Sequence, residues 1–334
     1  MKYQHLKTSI LEQFKAPRGN DVVPFILGAP GGGKSACARE VISALEIPQS
    51  NVVEFTASLR DPVDIMGTPN NEGDYTRWVP PQEFYQLRQG VGRSALILEE
   101  LSDATVPVQN ALCGVIYDRR AGGLQLSDEL FIIATGNRTE DKSGANRLTS
   151  KLVGRTRVFD FTENMDDWTL WALDNDVDPV LIQFLRFRPS LLAAFDPNQR
   201  VSPTPRNWER VSRIPSTMPD SLMFETIAGD VGEGAAAEYL GFRKIYNSLP
   251  DVDSILLAPD HADVPTDPAT LYALTGALAK KATANNFDRV SSYLKRLAPE
   301  FSVMCTKDSI TYQPAIRKTR SFIEWATANA DVLM

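Results

Sequence analysis

The stretch VVPFILGAPGGGKS, residues 22–35, decides the fold. Its first six residues form the short apolar run that a strand buried on both faces requires. Gly28-Ala29-Pro30-Gly31-Gly32-Gly33-Lys34-Ser35 then supplies the spacing GxxxxGK[ST]. Glycines let successive backbone N–H groups turn inward toward phosphate oxygens, and a helix beginning at Lys34 offers the positive end of its dipole to the same anion. Lys34 is expected to contact the β- and γ-phosphates, and Ser35 to give its hydroxyl to a Mg²⁺ that bridges them. A glycine-rich turn carrying a surface lysine would need neither the strand before it nor the helix after it, and both patterns are present here.

Outward from this loop the chain alternates apolar runs with helical patterns, which predicts a parallel α/β sheet. NVVEFT (51–56), SALIL (94–98), ELFIIAT (129–135) and RVFDF (157–161) read as four further strands. Helices are expected over residues 34–45 and within VPVQNALCGVIYDRR (106–120), where Val108, Leu112, Val115 and Ile116 fall at helical spacing. Residues 60–81 break the alternation with four prolines, two glycines and an Asn-Asn pair, so they read as a long loop or hairpin insertion. From residue 165 on, helical patterns separated by proline-rich joints take over.

Composition narrows the function. With 334 residues and 43% hydrophobic content, the chain can bury the cores of two domains, or of one large domain with an appendage. No apolar run approaches the roughly 20 residues that span a bilayer, and MKYQHLKTSILEQF is a charged amphipathic start, so no membrane association and a cytoplasmic location are expected. Cys37, Cys113 and Cys305 are too scattered for a disulfide framework or a CxxC metal site. His5 and His261 are the only histidines, which leaves little room for a histidine metal centre or a Ser-His triad. A net charge of −7 argues against a broad basic face, so nucleic acid is not the expected partner.

Phosphoryl chemistry beside such a loop needs a carboxylate near the metal and another to polarise the attacking water. Leu96-Ile97-Leu98-Glu99-Glu100 supplies two acids at the end of an apolar strand. The stretch resembles the Walker B pattern, which implies Glu99 in the metal-associated position and Glu100 in that of the base. The usual first acid of that pattern is aspartate; glutamate is one methylene longer, which changes how directly it meets the metal.

The phosphate loop, ILEEL (97–101), VPVQNAL (106–112), IIATGNR (132–138), LVGRTRVFDF (152–161) and SPTPRNWERVS (202–212) follow one another in an order that resembles the MoxR-like branch of AAA+ ATPases, across residues 22–213. The resemblance implies a five-stranded parallel sheet of order 5-1-4-3-2 in residues 1–163, a helical lid over 164–220, and a hexameric ring; residues 221–334 would be a helical extension. It implies ATP and Mg²⁺ as ligands, held by Gly28, Ala29, Pro30, Gly31, Gly32, Gly33, Lys34 and Ser35, with Ser35 and Glu99 on the metal. Asn137 resembles sensor 1. Arg155 resembles the arginine finger that enters a neighbouring subunit's site, with Arg157 competing for that role, and Arg206 resembles sensor 2. Residues 60–81 match the family's helix-2 insert, with Tyr75, Arg77 and Trp78 as its contacts with a client chain; Trp78 packing the hairpin to the core is the alternative. GGLQLSD (122–128) would be a trimmed hairpin before sensor 1. The function implied is ATP-driven remodelling of protein clients, with a von Willebrand factor A domain protein as a partner. A nucleotide-gated assembly module with little turnover, and a nucleic-acid motor, are the alternatives.

Overall fold

The computed structural model describes residues 1–141, 146, 148–215 and 217–329. Five runs form one sheet: β1 Val23–Leu27, β2 Val52–Thr56, β3 Ser94–Glu99, β4 Leu130–Gly136 and β5 Thr156–Asp160. Every pairing is parallel, in the order β2-β3-β4-β1-β5, which is the expected 5-1-4-3-2 read from the other edge. Each strand lies within a residue of its expected bounds, because a strand covered on both faces must be apolar nearly throughout.

Alternation along the strands feeds two cores. Phe25, Phe55, Leu96, Leu98, Ile132 and Ala134 pack on one face with Val108, Leu112, Val115 and Ile116 of helix α3 (Val106–Tyr117). Ile26, Ala95, Ile97 and Ile133 pack on the other with α1 (Tyr3–Lys15) and α2 (Lys34–Ala44). Leu6, Ile10 and Phe14 give α1 its buried stripe at helical spacing. Cys37 lies in this second core, where burial pushes its thiol up to about 12, so it behaves as a small hydrophobe.

The insertion is an antiparallel hairpin, Thr68–Glu72 with Tyr75–Val79, after a short helix Val63–Met66. It stands off the core: Tyr75 is 66% exposed and Trp78 43%. The segment GGLQLSD contributes to a smaller hairpin, Arg120–Ala121 with Leu124–Gln125.

These elements belong to the first of two compact units, Met1–Asn164 with Phe195–Asn198; the second is Met165–Ala194 with Gln199–Met334. The second unit is helical: α4 Met165–Asp174, α5 Pro179–Phe187, α6 Pro205–Ser212, α7 Asp220–Val231 and α8 Glu233–Asn247, followed by α9 Val252–Leu257, α10 Pro268–Lys281, α11 Phe287–Leu294, α12 Pro299–Tyr312 and α13 Arg320–Ala328. Pro179, Pro205, Pro268 and Pro299 each open a helix, where the missing N–H costs nothing. One core, built around Phe184, Trp208, Tyr239 and Phe242, is shared by helices on either side of residue 220. A second core gathers Leu278, Phe287, Tyr293 and Cys305. No helix among the described residues is long and apolar enough to cross a membrane.

One buried ion pair crosses the helical unit. Arg186 of α5 grips Asp308 of α12 in a fork, with Nη2 donating to Oδ1 at 2.7 Å, and Gln183 Nε2 donates to Oδ2 at 3.2 Å. Asp308 is 1% exposed, so removing it leaves a largely buried guanidinium without its counter-charge. Asp308→Ala should cost about 3–5 kcal/mol of the second unit's stability, measured by urea unfolding followed by tryptophan fluorescence. A loss below about 1 kcal/mol would mean the pair does not hold α5 to α12.

Candidate functional site

Parallel pairing aligns the strand ends that matter. Leu27 stands opposite Gly136 and Asp160, and Thr56 opposite Glu99, so the phosphate loop, the acidic pair and Asn137 all leave the sheet at one end. Gly31 and Gly33 adopt φ of +75° and +104°, and open space lies where a Cβ on Gly33 would stand. The loop thereby delivers Lys34 and Ser35 to the first turn of α2.

Lys34 is 9% exposed. Its Nζ donates to Gly28 O at 2.9 Å, to Ala29 O at 2.7 Å and to Asn137 Oδ1 at 3.0 Å. The amide of Asn137 passes the link on, donating from Nδ2 to Asp103 Oδ2 at 2.7 Å. Ser102 Oγ accepts from the Asn137 backbone N–H at 2.8 Å and donates to Asp103 Oδ1 at 3.2 Å. Burial pushes the Asp103 carboxyl above its ordinary range, against the hydrogen bonds from Ser102 and Asn137. Glu100 adds to that rise and Lys34 opposes it, so the charges of all three groups meet at this point. Neither Asp103 nor Ser102 stands out in the sequence; only the turn after the acidic pair brings them under β4.

That turn is made by Glu100 itself, at φ +55°. The left-handed conformation is costly for a side chain with a Cβ, and it folds the chain back so that Leu101 N–H reaches Thr135 O at 2.9 Å. Glu100 is exposed and accepts a hydrogen bond from Ser58 beyond the end of β2. Glu99, by contrast, shares the sheet face of Ile97, toward α2. There Arg39 Nη2 donates to its Oε1 at 2.8 Å while also holding Glu54.

The donors fit a magnesium–nucleotide complex. Ser35, Glu99 and Glu100 offer hard oxygens, and no group of three or more His, Cys, Asp or Glu among the described residues could hold a metal by itself. A cation here would share its shell with phosphate oxygens, the usual arrangement for Mg²⁺.

Arg155 and Arg157 lie elsewhere. Arg155 precedes β5, its carbonyl accepting from Val23 N–H at 3.0 Å, so it stands at the start of β1, roughly 15 Å along the strand from the loop that leaves its other end. It is exposed, with its guanidinium over the Tyr117 ring at 4.8 Å. Arg157 donates from Nη1 to Gln13 Oε1 of α1 at 2.9 Å. Arg206 belongs to the second unit, in the first turn of α6, which Thr204 caps.

Gly136 is where this packing is tightest: a Cβ there would come within 2.6 Å of Ser102 Oγ and 2.8 Å of Phe25 Cζ. Gly136→Ala should cost about 1–3 kcal/mol by forcing those neighbours apart. Gly229→Ala, inside α7 with open space around it, should be neutral or stabilise by up to about 1 kcal/mol. Paired thermal melts compare the two, and equal effects would refute the tight approach under Asn137.

One family model agrees with this geometry. Residues 24–156, from β1 to the first residue of β5, match the family model of the AAA domain (dynein-related subfamily). Comparison with curated protein sequences finds no match. Among solved structures, a mutant of RuvB from Thermotoga maritima is 15% identical, with 82% of this chain and 81% of that one covered at a TM-score of 0.43. NtrX from Brucella abortus in complex with ADP is also 15% identical, with 99% and 68% covered at a TM-score of 0.41. A DNA polymerase III gamma subunit-related protein from Thermotoga maritima is 10% identical, with 98% and 97% covered at 0.34. At these TM-scores the likenesses bear on neither mechanism nor partner. The segment that matches the AAA domain model, residues 24–156, is the one that carries the phosphate loop and the acidic pair.

Proposed function

We propose that this protein is a MoxR-like AAA+ ATPase that hydrolyses ATP between the subunits of a ring, a hexamer by that likeness, and uses the cycle to remodel protein clients. The observation that carries the reading is the hydrogen-bonded line Lys34–Asn137–Asp103 beside Glu100, at the end of the sheet where the phosphate loop opens. Lys34 is the cation for the β- and γ-phosphates, with the loop's N–H groups around it. Mg²⁺, held by Ser35 and Glu99, would neutralise charge on the same phosphate oxygens. Glu100 takes a proton from water as its oxygen bonds to the γ-phosphorus and the bond to the bridging oxygen breaks. Ser58 holds the carboxylate for that task, and Asn137 orients the water.

Arg155 is the finger in this reading. It lies too far from its own loop to act there, and its exposure suits insertion into a neighbour's site; Arg157 is engaged by Gln13 of its own subunit. Residues 164–220 serve as the lid, with Arg206 reading the nucleotide's state, and residues 221–334 as an extension. The hairpin offers Tyr75, Arg77 and Trp78 to the client, and a von Willebrand factor A domain protein is the partner to seek. One observation favours a second reading, a nucleotide-gated assembly module with little turnover: Glu99 is already ion-paired to Arg39.

Lys34→Ala should abolish nucleotide binding by calorimetry, since the loop's backbone amides alone do not balance the phosphate charge. Glu100→Gln should keep ATP bound while turnover falls by about 10²-fold or more, as expected when a general base is lost. Negligible turnover by the wild type itself would favour the assembly module. Arg155→Ala should bind ATP almost normally and hydrolyse it about 10³-fold more slowly. Mixing Arg155→Ala with Lys34→Ala subunits, once exchange is established, should restore part of the activity, because some interfaces regain an intact loop facing an intact arginine. No recovery in mixed rings would mean that Arg155 acts within its own subunit, that Arg157 is the finger, or that turnover needs every site in the ring, and the same mixture with Arg157→Ala distinguishes the second case.

A further inference from the structure

The longer acid at position 99 has a partner that the phosphate chemistry does not use. Pairing of Val53 with Leu96, Glu54 with Ile97 and Thr56 with Glu99 puts Glu54 and Glu99 on the same sheet face, two residues apart in register on adjacent strands. Ile97 of that face packs with Cys37 and Val41 of α2, so Arg39 on α2 arrives between the two carboxylates. Its Nε donates to Glu54 Oε1 at 2.9 Å and its Nη2 to Glu54 Oε2 at 2.8 Å, while the same Nη2 reaches Glu99 Oε1 at 2.8 Å. Glu99 is the most enclosed of the three, its side chain 19% exposed against 49% for Arg39 and 40% for Glu54.

One cation thus serves two acids, and the fork goes to Glu54. Two hydrogen bonds run from the guanidinium to Glu54 and a single one to Glu99. Resting on the reading of Glu99 as the acid on the nucleotide's metal, we propose that Arg39 and Glu54 are opposed positioning residues that set how much Mg²⁺ the site needs. Arg39 weakens Glu99 toward a divalent cation by placing a positive charge on one of its oxygens. Glu54 restores it by claiming most of that guanidinium. Without Arg39, no guanidinium sits on the Glu99 carboxylate; without the Glu54 charge, Arg39 turns wholly to Glu99. The two losses therefore act in opposite directions, whereas a merely structural triad would weaken in the same direction whichever member was removed.

The test is binding, not turnover. A fluorescent ATP analogue is titrated with MgCl₂ at constant ionic strength against the full-length chain, and the Mg²⁺ concentration for half-maximal binding is read. Arg39→Met should lower it and Glu54→Gln raise it, each by about two- to fivefold, the range of partly exposed ion pairs. In a Glu99→Gln background both shifts should vanish. Thermal melts run alongside, and should Arg39→Met not fold, Arg39→Gln, which also removes the charge but stays polar, should give a shift of the same sign. Shifts in the same direction, no shifts, or shifts that persist without the Glu99 charge would overturn the proposal while leaving Mg²⁺-dependent nucleotide binding intact. Nucleotide binding that ignores both Mg²⁺ and Lys34→Ala would sink the underlying reading along with it.

Discussion

A lysine ammonium that is nearly inaccessible to water has to find acceptors within the protein, and the arrangement around Lys34 follows from that requirement. Three of its acceptors come from separate places: the carbonyls of Gly28 and Ala29 at the exit of β1, and the amide of Asn137 at the exit of β4. Meeting all three fixes the mouth of the loop against the tip of a neighbouring strand. Parallel pairing of β1 with β4 is what makes the two exits adjacent, and the absence of a side chain on Gly136 is what lets Phe25 and Ser102 close in beneath Asn137. Arg138, one residue further, donates to Phe161 O at 2.6 Å and so ties the same tip to the end of β5.

Around this cation three carboxylates must coexist, and the fold gives each a different partner. Glu99 goes to Arg39 on the α2 side, Glu100 to Ser58 beyond β2, and Asp103 to Asn137 and Ser102. The sorting depends on one strained residue. Had the chain continued extended through Glu100, strand alternation alone would have sent Glu99 and Glu100 to opposite faces and left Asp103 far from the loop. The left-handed turn at Glu100 costs on the order of 1–3 kcal/mol and is offset by the backbone bonds it allows, Leu101 to Thr135 and Asp103 to Glu100. Its effect is to bring a third acid back beneath the site.

The sheet is legible in the sequence because burial on both faces leaves little freedom: VVPFIL, SALIL and ELFIIAT are apolar wherever they touch either layer of helices. The phosphate loop is legible for a different reason, since its glycines and lysine are dictated by backbone geometry and not by neighbours. The partners of the acids are not. Glu99 and Glu100 look equivalent in a one-dimensional reading, and what separates them, the face toward α2 and a positive φ, appears only when strand and helix are packed. Arg39 and Glu54 carry no motif, because their meeting depends on the register of β2 against β3 and on where α2 crosses. Arg155 and Arg157 are rivals two residues apart in the sequence, and it is Gln13 of α1, more than a hundred positions earlier, that distinguishes them. The hairpin is readable from its prolines and glycines, yet its distance from the core, which leaves Tyr75 and Trp78 to solvent, is not.

The placement of the arginines bears on whether one copy of this unit is sufficient. Near the phosphate loop, Arg39 is committed to Glu54 and Glu99, Arg138 to Phe161 O, and Arg60 to Glu83 at 2.8 Å beneath its stacking on Phe55. Each is held by acceptors that would have to be abandoned before it could follow charge moving onto a leaving oxygen, and abandoning a partner leaves a carboxylate or carbonyl uncompensated. Arg155, stacked on an aromatic face, gives up much less on moving away, since a cation–π contact at an exposed site is worth about 0.5–1 kcal/mol. It is also the arginine at the wrong end of its own sheet. A cation that is loosely held yet far from its own loop suits the proposed reading, in which Arg155 serves a site on another copy of the chain, and both the energetics of release and the geometry of the strand are consistent with it.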